Sequence, residues 1–355
     1  MRVPHFAKRS LAILALTALA AGCGKDSNAP DAPFDPAGTS SDIGAMQASF
    51  ESPAMSSFAA ASASMASVLG ESPAAAALRA MPTKALVTGD RKVAGHYAAT
   101  VAKAYVRPTG GIRPSLSTAA IVDDHLGVTF VYNPDTDQYE ASDATGAPQN
   151  GVRFIVYAVN GITGVPVEPL VEVGHADIVV TPSTNAATVG IQLVSAGVTY
   201  LDYTLGVAGS ESAFTINVSG FVTNGDDRVN FDLDHHLTSD TIALDYQLTV
   251  PTRGGFRIDF EGEADGIAVT TTLAARGPHG LVTVSGTQSG TTGSYEVEVN
   301  GELFATIATV EGEQPVITGA DGQALTDAEL EALETVFLMF TEGFDFLEDL
   351  MDPVL

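Results

Sequence analysis

The sequence predicts a mainly β protein: a large antiparallel meander sheet curled into a barrel or half-barrel, with N-terminal helices and a C-terminal amphipathic helix docked on its apolar face. Three observations predict it. From about residue 95 to 318, apolar and polar residues alternate with a period of two, the pattern of strands with one buried and one wet face. Turn signals separate the alternating runs at intervals of roughly 10 to 14 residues, one strand plus one tight turn. The chain is also rich in turn formers, with 35 Gly and 18 Pro, yet 45% of it is hydrophobic and only 17% charged, so it can bury a core.

In chain order, the first element is a leader. Arg2, Lys8 and Arg9 form a basic start, and Leu11 to Ala21 form an apolar run. That run would span about 16 Å as a helix, too short for the ~30 Å hydrocarbon core of a bilayer, so it reads as a signal peptide. It ends Leu19-Ala20-Ala21-Gly22-Cys23. This ending resembles the lipobox of bacterial lipoproteins, with one departure: Ala20 stands where the family usually has Leu, and Leu19 lies one place further back. The resemblance implies a diacylglycerol on the Cys23 thiol, cleavage after Gly22, and a further amide-linked acyl chain such as palmitate. Cys23 is the only cysteine of the chain, which excludes a disulfide framework and a cysteine-based zinc site.

Cleavage would leave 13 basic residues against 43 acidic ones. Such a body repels anionic headgroups, so acyl chains rather than a basic patch must hold it at the membrane. The same balance excludes nucleic acid as a partner. Gly24, not Asp, follows the cysteine, which by the resemblance points to the outer membrane, facing the periplasm or the cell surface.

Residues 23–41 follow as the lipidated N-terminus and a Pro/Ser/Ala/Asp-rich tether, worth an r.m.s. reach of about 25 Å as a flexible coil. Residues 42–82 read as short helices. Ser52-Pro53 and Ser72-Pro73 are start signals, cap then proline. Met55, Phe58, Ser62, Met65 and Leu69 then recur at helical spacing before Gly70.

Residues 83–320 form the β domain. Strands are expected at 126–132, 138–142, 152–159, 170–181, 188–195 and 197–207, and then more clearly from Phe214. There Phe214, Ile216 and Val218 alternate with Thr215, Asn217 and Ser219, and Ile242, Leu244, Tyr246, Leu248 and Val250 with Ala243, Asp245, Gln247 and Thr249. Asn133-Pro134-Asp135-Thr136-Asp137 is a hairpin turn rather than a calcium loop, because Gln138 and Ala144 stand where such a loop needs Gly and Glu.

Residues 321–355 carry the C-terminal helix. Thr326 and Glu329 make a capping box, Leu325 and Leu330 a hydrophobic staple, and Leu330, Leu333, Val336, Phe337, Phe340, Phe344 and Leu347 an apolar stripe. Ten strands at ~4.8 Å would make a sheet about 48 Å wide, more than two helices can cover, hence the expected curl. That arrangement is similar to periplasmic lipoprotein carriers of the LolA/LolB kind, an architectural likeness that implies a concave face able to hold a lipid.

The sequence holds no nucleophile elbow, zinc-protease motif, phosphate loop or dinucleotide fingerprint, and no cofactor is expected beyond the lipid on Cys23. The one ligand-like run is Asp232, Asp234 and His236, on one face of a strand in ~6.6 Å steps, whereas ligands of one ion sit nearer 3 Å apart. It reads as a solvated acidic face. The expected role is therefore non-catalytic: a membrane-anchored lipoprotein that is structural or interacts with a protein partner, or alternatively one that binds a lipid or other hydrophobic ligand in the concave face.

Overall fold

The computed structural model describes residues 34–69 and, with short gaps, 121–333. Cys23, Gly22, the leader, most of the tether, the Ser72-Pro73 segment and the Phe337/Phe340 stripe lie outside the described residues.

Two helices come first, α1 (Pro36–Phe50) and α2 (Pro53–Leu69). Helix α1 begins inside the segment expected to be tether, and the local chemistry explains why. Asp35 caps it, its Oδ1 accepting from the amides of Ala37 (3.1 Å) and Gly38 (3.2 Å), and Pro36 takes the first helical place, where its missing N–H costs nothing. The same cap-then-proline signal starts α2, where Ser52 Oγ accepts from the Met55 amide (3.3 Å).

The strands are β1 (Thr129–Asn133), β2 (Gln138–Ser142), β3 (Gly151–Tyr157), β4 (Glu172–Pro182), β5 (Ala186–Ser195), β6 (Val198–Gly209), β7 (Ala213–Thr223), β8 (Arg228–Thr238), β9 (Ile242–Val250), β10 (Phe256–Ala264), β11 (Ala268–Gly277), β12 (Gly280–Ser289), β13 (Thr292–Val299), β14 (Glu302–Val310) and β15 (Val316–Gly319). All fifteen form one sheet, and from β3 to β15 each strand pairs antiparallel with the next. The exception is at the start, where β1 pairs parallel with β3 and leaves β2 as the edge.

The sheet does not close into a barrel: β15 and β2 are its two free edges. That corrects the closed form of the expected architecture. Closure needs the first and last strands to pair at a common stagger. Here one edge is a four-residue strand and the other a five-residue strand carrying exposed Gln138 and Glu140.

One face of the sheet is mainly apolar. Phe154, Ile178, Leu193, Leu205, Ile216, Leu233, Leu248, Ile258, Val297 and Ile307 are all buried, in one continuous cluster that also takes in Ile43 and Met46 of α1, Phe58 and Met65 of α2, and Leu333. Each such side chain contributes ~1.5–3 kcal/mol on leaving water. Large rings are accommodated by bare neighbours. A Cβ on Gly286 would overlap the ring of Tyr295, and one on Gly220 would overlap the Cα and Cβ of Tyr203, so glycine permits the close approach at both places.

Because the meander reverses at every turn, alternate turns fall on opposite rims. One rim, the near rim, collects β7–β8 (around Asp227), β9–β10 (Pro251–Gly255), β11–β12 (Pro278, His279) and β13–β14 (Asn300, Gly301). Helix α1 lies along it. Its first residue-pair is tied to β11–β12, where the Asp35 amide donates to the His279 carbonyl (2.7 Å). Its last turn reaches β7–β8, where the Ser49 hydroxyl meets the Asp227 carbonyl (3.3 Å). Four strand spacings of ~4.8 Å separate those turns, about 19 Å, and a 15-residue helix is about 22 Å long. The helix is as long as the row of strand ends it crosses.

Candidate functional site

The sequence-predicted residues stand on the wet face. In β8, Phe231, Leu233 and His235 point inward and Asp232, Asp234 and His236 outward. Register places Asp232 between Ser219 and Gln247, Asp234 between Asn217 and Asp245, and His236 between Thr215 and Ala243. The Asn217 amide donates to Asp234, and Thr215 Oγ1 lies 3.4 Å from His236 Nδ1. Their neighbours are thus on adjacent strands, not on one another. Asp234, Asp245 and Glu261 form a row of three carboxylates directly opposite one another across β8, β9 and β10. Burial and the Asp234 charge together push the Asp232 carboxyl above its ordinary range. Among the described residues, no three His, Cys, Asp or Glu side chains gather as metal ligands would.

The residue between them differs. His235 is 2% exposed on the apolar face, opposite Ile216 and Leu244, and its Nδ1 has no hydrogen-bond partner. Burial, aided by the neighbouring His236, lowers its pKa to about 4, so the ring is neutral at pH 7. Other polar groups on this face, Thr271, Gln288 and Thr309, are also buried, and Thr309 Oγ1 donates to Gln288 Oε1 (3.3 Å). Strand alternation alone could have singled out His235, since it falls in phase with Phe231 and Leu233.

A second constellation was not foreseen at all. On α1, Asp35, Gly38 and Asp42 share one helical face, and the His279 ring sits against it. His279 Nδ1 is 3.4 Å from Asp35 Oδ2, and Nε2 is 3.7 Å from Asp42 Oδ2. A Cβ on Gly38 would overlap the imidazole, so only glycine leaves room for the ring against the helix backbone. Asp42 is 4% exposed and its Oδ2 has no hydrogen-bond partner. Burial raises the Asp42 carboxyl above its usual range, opposed by the charges of His279 and Arg253. Beside it, Asp227 accepts from Thr252 Oγ1 (2.6 Å) and from Arg253 Nε (3.2 Å) and Nη2 (2.9 Å), which hold its carboxyl below the usual range. The sequence signal was spacing: two aspartates seven apart, with a glycine between them, on a helix that starts earlier than expected.

At the other end of the sheet, Arg153 makes a bidentate pair with Asp177 (2.7 Å for both bonds), and His175 lies 4.0 Å from the same carboxylate. The predicted 133–137 hairpin turn is an Asx turn, Asn133 Oδ1 accepting from the Asp135 amide (2.9 Å). Among the described residues no helix is long and apolar enough to cross a membrane. Comparison of the chain with known protein families, curated proteins and solved structures finds no match.

Proposed function

We propose that the protein is a lipoprotein anchored through Cys23 on the outer side of the cytoplasmic membrane, at the outer membrane, with a non-catalytic structural or interaction role. The observation that carries the anchoring is the Leu19-to-Cys23 ending of the leader. Position supports it: only ten residues separate Cys23 from Phe34, which touches the near rim at Gly280. Fully extended, those residues reach at most about 40 Å, so an anchor on Cys23 keeps the near rim close to the bilayer. In this reading the open sheet curls around α1, α2 and the C-terminal helix, which dock on its apolar face. The continuous cluster running from Met46 and Phe58 to Ile307 and Leu333 supports that arrangement. A buried cluster continuous from the helices across the sheet suits a structural or protein-binding role more than a carrier's.

One observation favours a second reading, a hydrophobic ligand held on the inner face. A neutral imidazole at His235 whose Nδ1 has no partner would suit the polar end of such a molecule, because an unsatisfied buried nitrogen is otherwise costly.

Both are tested on protein extracted from membranes. Fatty-acid labelling should vanish in Cys23→Ser and the chain should leave the membrane fraction; labelling that survives ends the lipoprotein reading. Native mass spectrometry should then show the chain with its own acyl groups alone. An additional copurified lipid, lost in His235→Leu, would establish the second reading instead.

A further inference from the structure

We propose, resting on the anchored reading above, that the outer face of β8–β11 beside the near rim is the surface turned to the bilayer, where Arg228, Arg257 and Arg276 meet the phosphates of lipid headgroups. Acyl chains on Cys23 hold the body there against its net negative charge, and the arginines decide which way it faces. Among the described residues there are five Lys and Arg, and four of them, Arg228, Arg253, Arg257 and Arg276, stand at the near rim in the stretch from β8 to β11. The fifth, Arg153, is on β3, paired with Asp177. The chain from Cys23 arrives at the same corner. Phe34 touches Gly280, four residues after Arg276, and the Asp35 amide donates to the His279 carbonyl between them (2.7 Å).

Strand alternation puts these side chains on one face. Val229, Phe256, Ile258 and Ala275, their neighbours in the chain, are buried, so Arg228, Arg257 and Arg276 point outward. The row across the outer face from β7 to β11 reads Phe221, Asn230, Thr249, Arg257, Arg276. Arg228 lies against its first member, with Cζ 3.7 Å from the Phe221 ring centroid. Arg257 and Arg276 are directly opposite each other, and like charges in register repel. Arg257 has some relief from Asp259 (2.8 Å), as Arg253 has from Asp227 (2.9 Å), but among the described residues neither Arg228 nor Arg276 pairs with a carboxylate. A guanidinium presents its N–H groups as a planar fork that fits a phosphate, so one phosphate seated between Arg257 and Arg276 turns their repulsion into two charge-assisted contacts.

Distance decides whether the acidic remainder of the face spoils this. The carboxylate row Asp234, Asp245, Glu261 stands four residues further along the same three strands than Asn230, Thr249 and Arg257, about 14 Å away. That exceeds the ~8–10 Å Debye length of physiological buffers, so headgroups at the rim feel the arginines while the far half of the face is pushed away from them. Between the two rows stand Asp232, Gln247 and Asp259, the last committed to Arg257. On the turns of this corner Asp227 is committed to Arg253, which leaves the exposed Asp226 against Arg228 and Arg276. Asp35, Asp42 and Glu51, in and next to α1, lie where that helix joins the inner cluster through Ile43 and Met46, and a body resting on its outer corner tilts them away from the bilayer.

Quenching in vesicles tests this on the full chain purified from membranes. The protein is reconstituted in phosphatidylethanolamine and phosphatidylglycerol, with a nitroxide on a fraction of the headgroups. Cys23 is the only native cysteine, so once it is acylated a cysteine introduced as Thr249→Cys or Ala243→Cys takes the fluorophore alone. Both positions face outward on β9, six residues or about 20 Å apart. Quenching should be about fivefold stronger at 249 than at 243, the preference that one basic residue near an anionic surface supplies. The ratio should fall towards one in Arg228→Gln/Arg276→Gln and in about 1 M sodium chloride, where the Debye length is ~3 Å. Arg228→Lys/Arg276→Lys should keep most of it, and Arg153→Gln all of it. Equal quenching at the two positions on floated vesicles overturns the orientation and leaves the anchor standing, as does a ratio that the double Gln variant does not change. A chain that neither floats with the vesicles nor carries acyl mass on Cys23 ends the anchored reading, and this one with it.

Discussion

At the scale of single residues, the buried His235 sets a pH dependence of its own. His235 is a base held neutral by its surroundings: its pKa is lowered to about 4. The unfolded chain takes up a proton near pH 6.5 and the native state does not, so stability present above that pH is lost as pH falls towards 4. The loss amounts to ~3 kcal/mol at 1.36 kcal/mol per unit. His235→Leu should remove that acid loss. It should also stabilise the fold at pH 7 by about 1–2 kcal/mol, since it replaces an unsatisfied nitrogen with apolar packing. Denaturant unfolding of both proteins at several pH values measures this, and equal acid slopes would refute it.

At the scale of elements, the strands were legible and the closure was not. The alternation of Ile242, Leu244, Tyr246, Leu248 and Val250 with Ala243, Asp245, Gln247 and Thr249 is a local signal, and β9 carries it as expected. The hairpin at β1–β2 was likewise readable from Asn133, but the parallel pairing of β1 with β3 depends on where residues 143–150 lead the chain, which no periodicity encodes. Helix α1 was placed too late because its stripe is weak and its start depends on Asp35-Pro36, a cap hidden in tether-like composition. The His279 socket was illegible for the same reason, since its two halves meet only through the fold. At the C-terminus the capping box is formed, Thr326 Oγ1 and its amide both reaching Glu329 Oε2 at 2.7 Å, and Leu333, two turns on, is 3% exposed. Leu333→Ala should cost about 2–5 kcal/mol by leaving a cavity. Phe337→Asp should cost several kcal/mol if the stripe continues into the core. A melting temperature within about a degree of the parent for both would mean that this segment is no part of the core.

At the scale of the whole molecule, the charge distribution modulates the stability that the core provides. The chain carries 43 acidic against 16 basic residues, and the wet face brings like charges into direct register. Asp234 faces Asp245, and Asp245 faces Glu261. Like charges directly opposite across a sheet are destabilising by some tenths of a kcal/mol each. Relief exists only locally, as where Arg257 and the Gln247 amide both donate to Asp259 (2.8 and 3.0 Å). Monovalent salt should therefore stabilise the protein by screening these rows, whose spacing is shorter than the ~8–10 Å Debye length of physiological buffers. The screening argument makes no distinction between cations, so calcium and sodium chlorides at matched ionic strength should raise the melting temperature alike and without saturating. A bound ion behaves otherwise: it adds RT ln(1 + [L]/Kd) and depends on concentration in a stoichiometric way. Calorimetric titration with calcium and with zinc should show no tight site. One tight site, lost in Asp234→Asn or in His236→Ala, would mean that the strand can bend its outward residues onto a single ion, and would turn a face read as solvated into a functional centre.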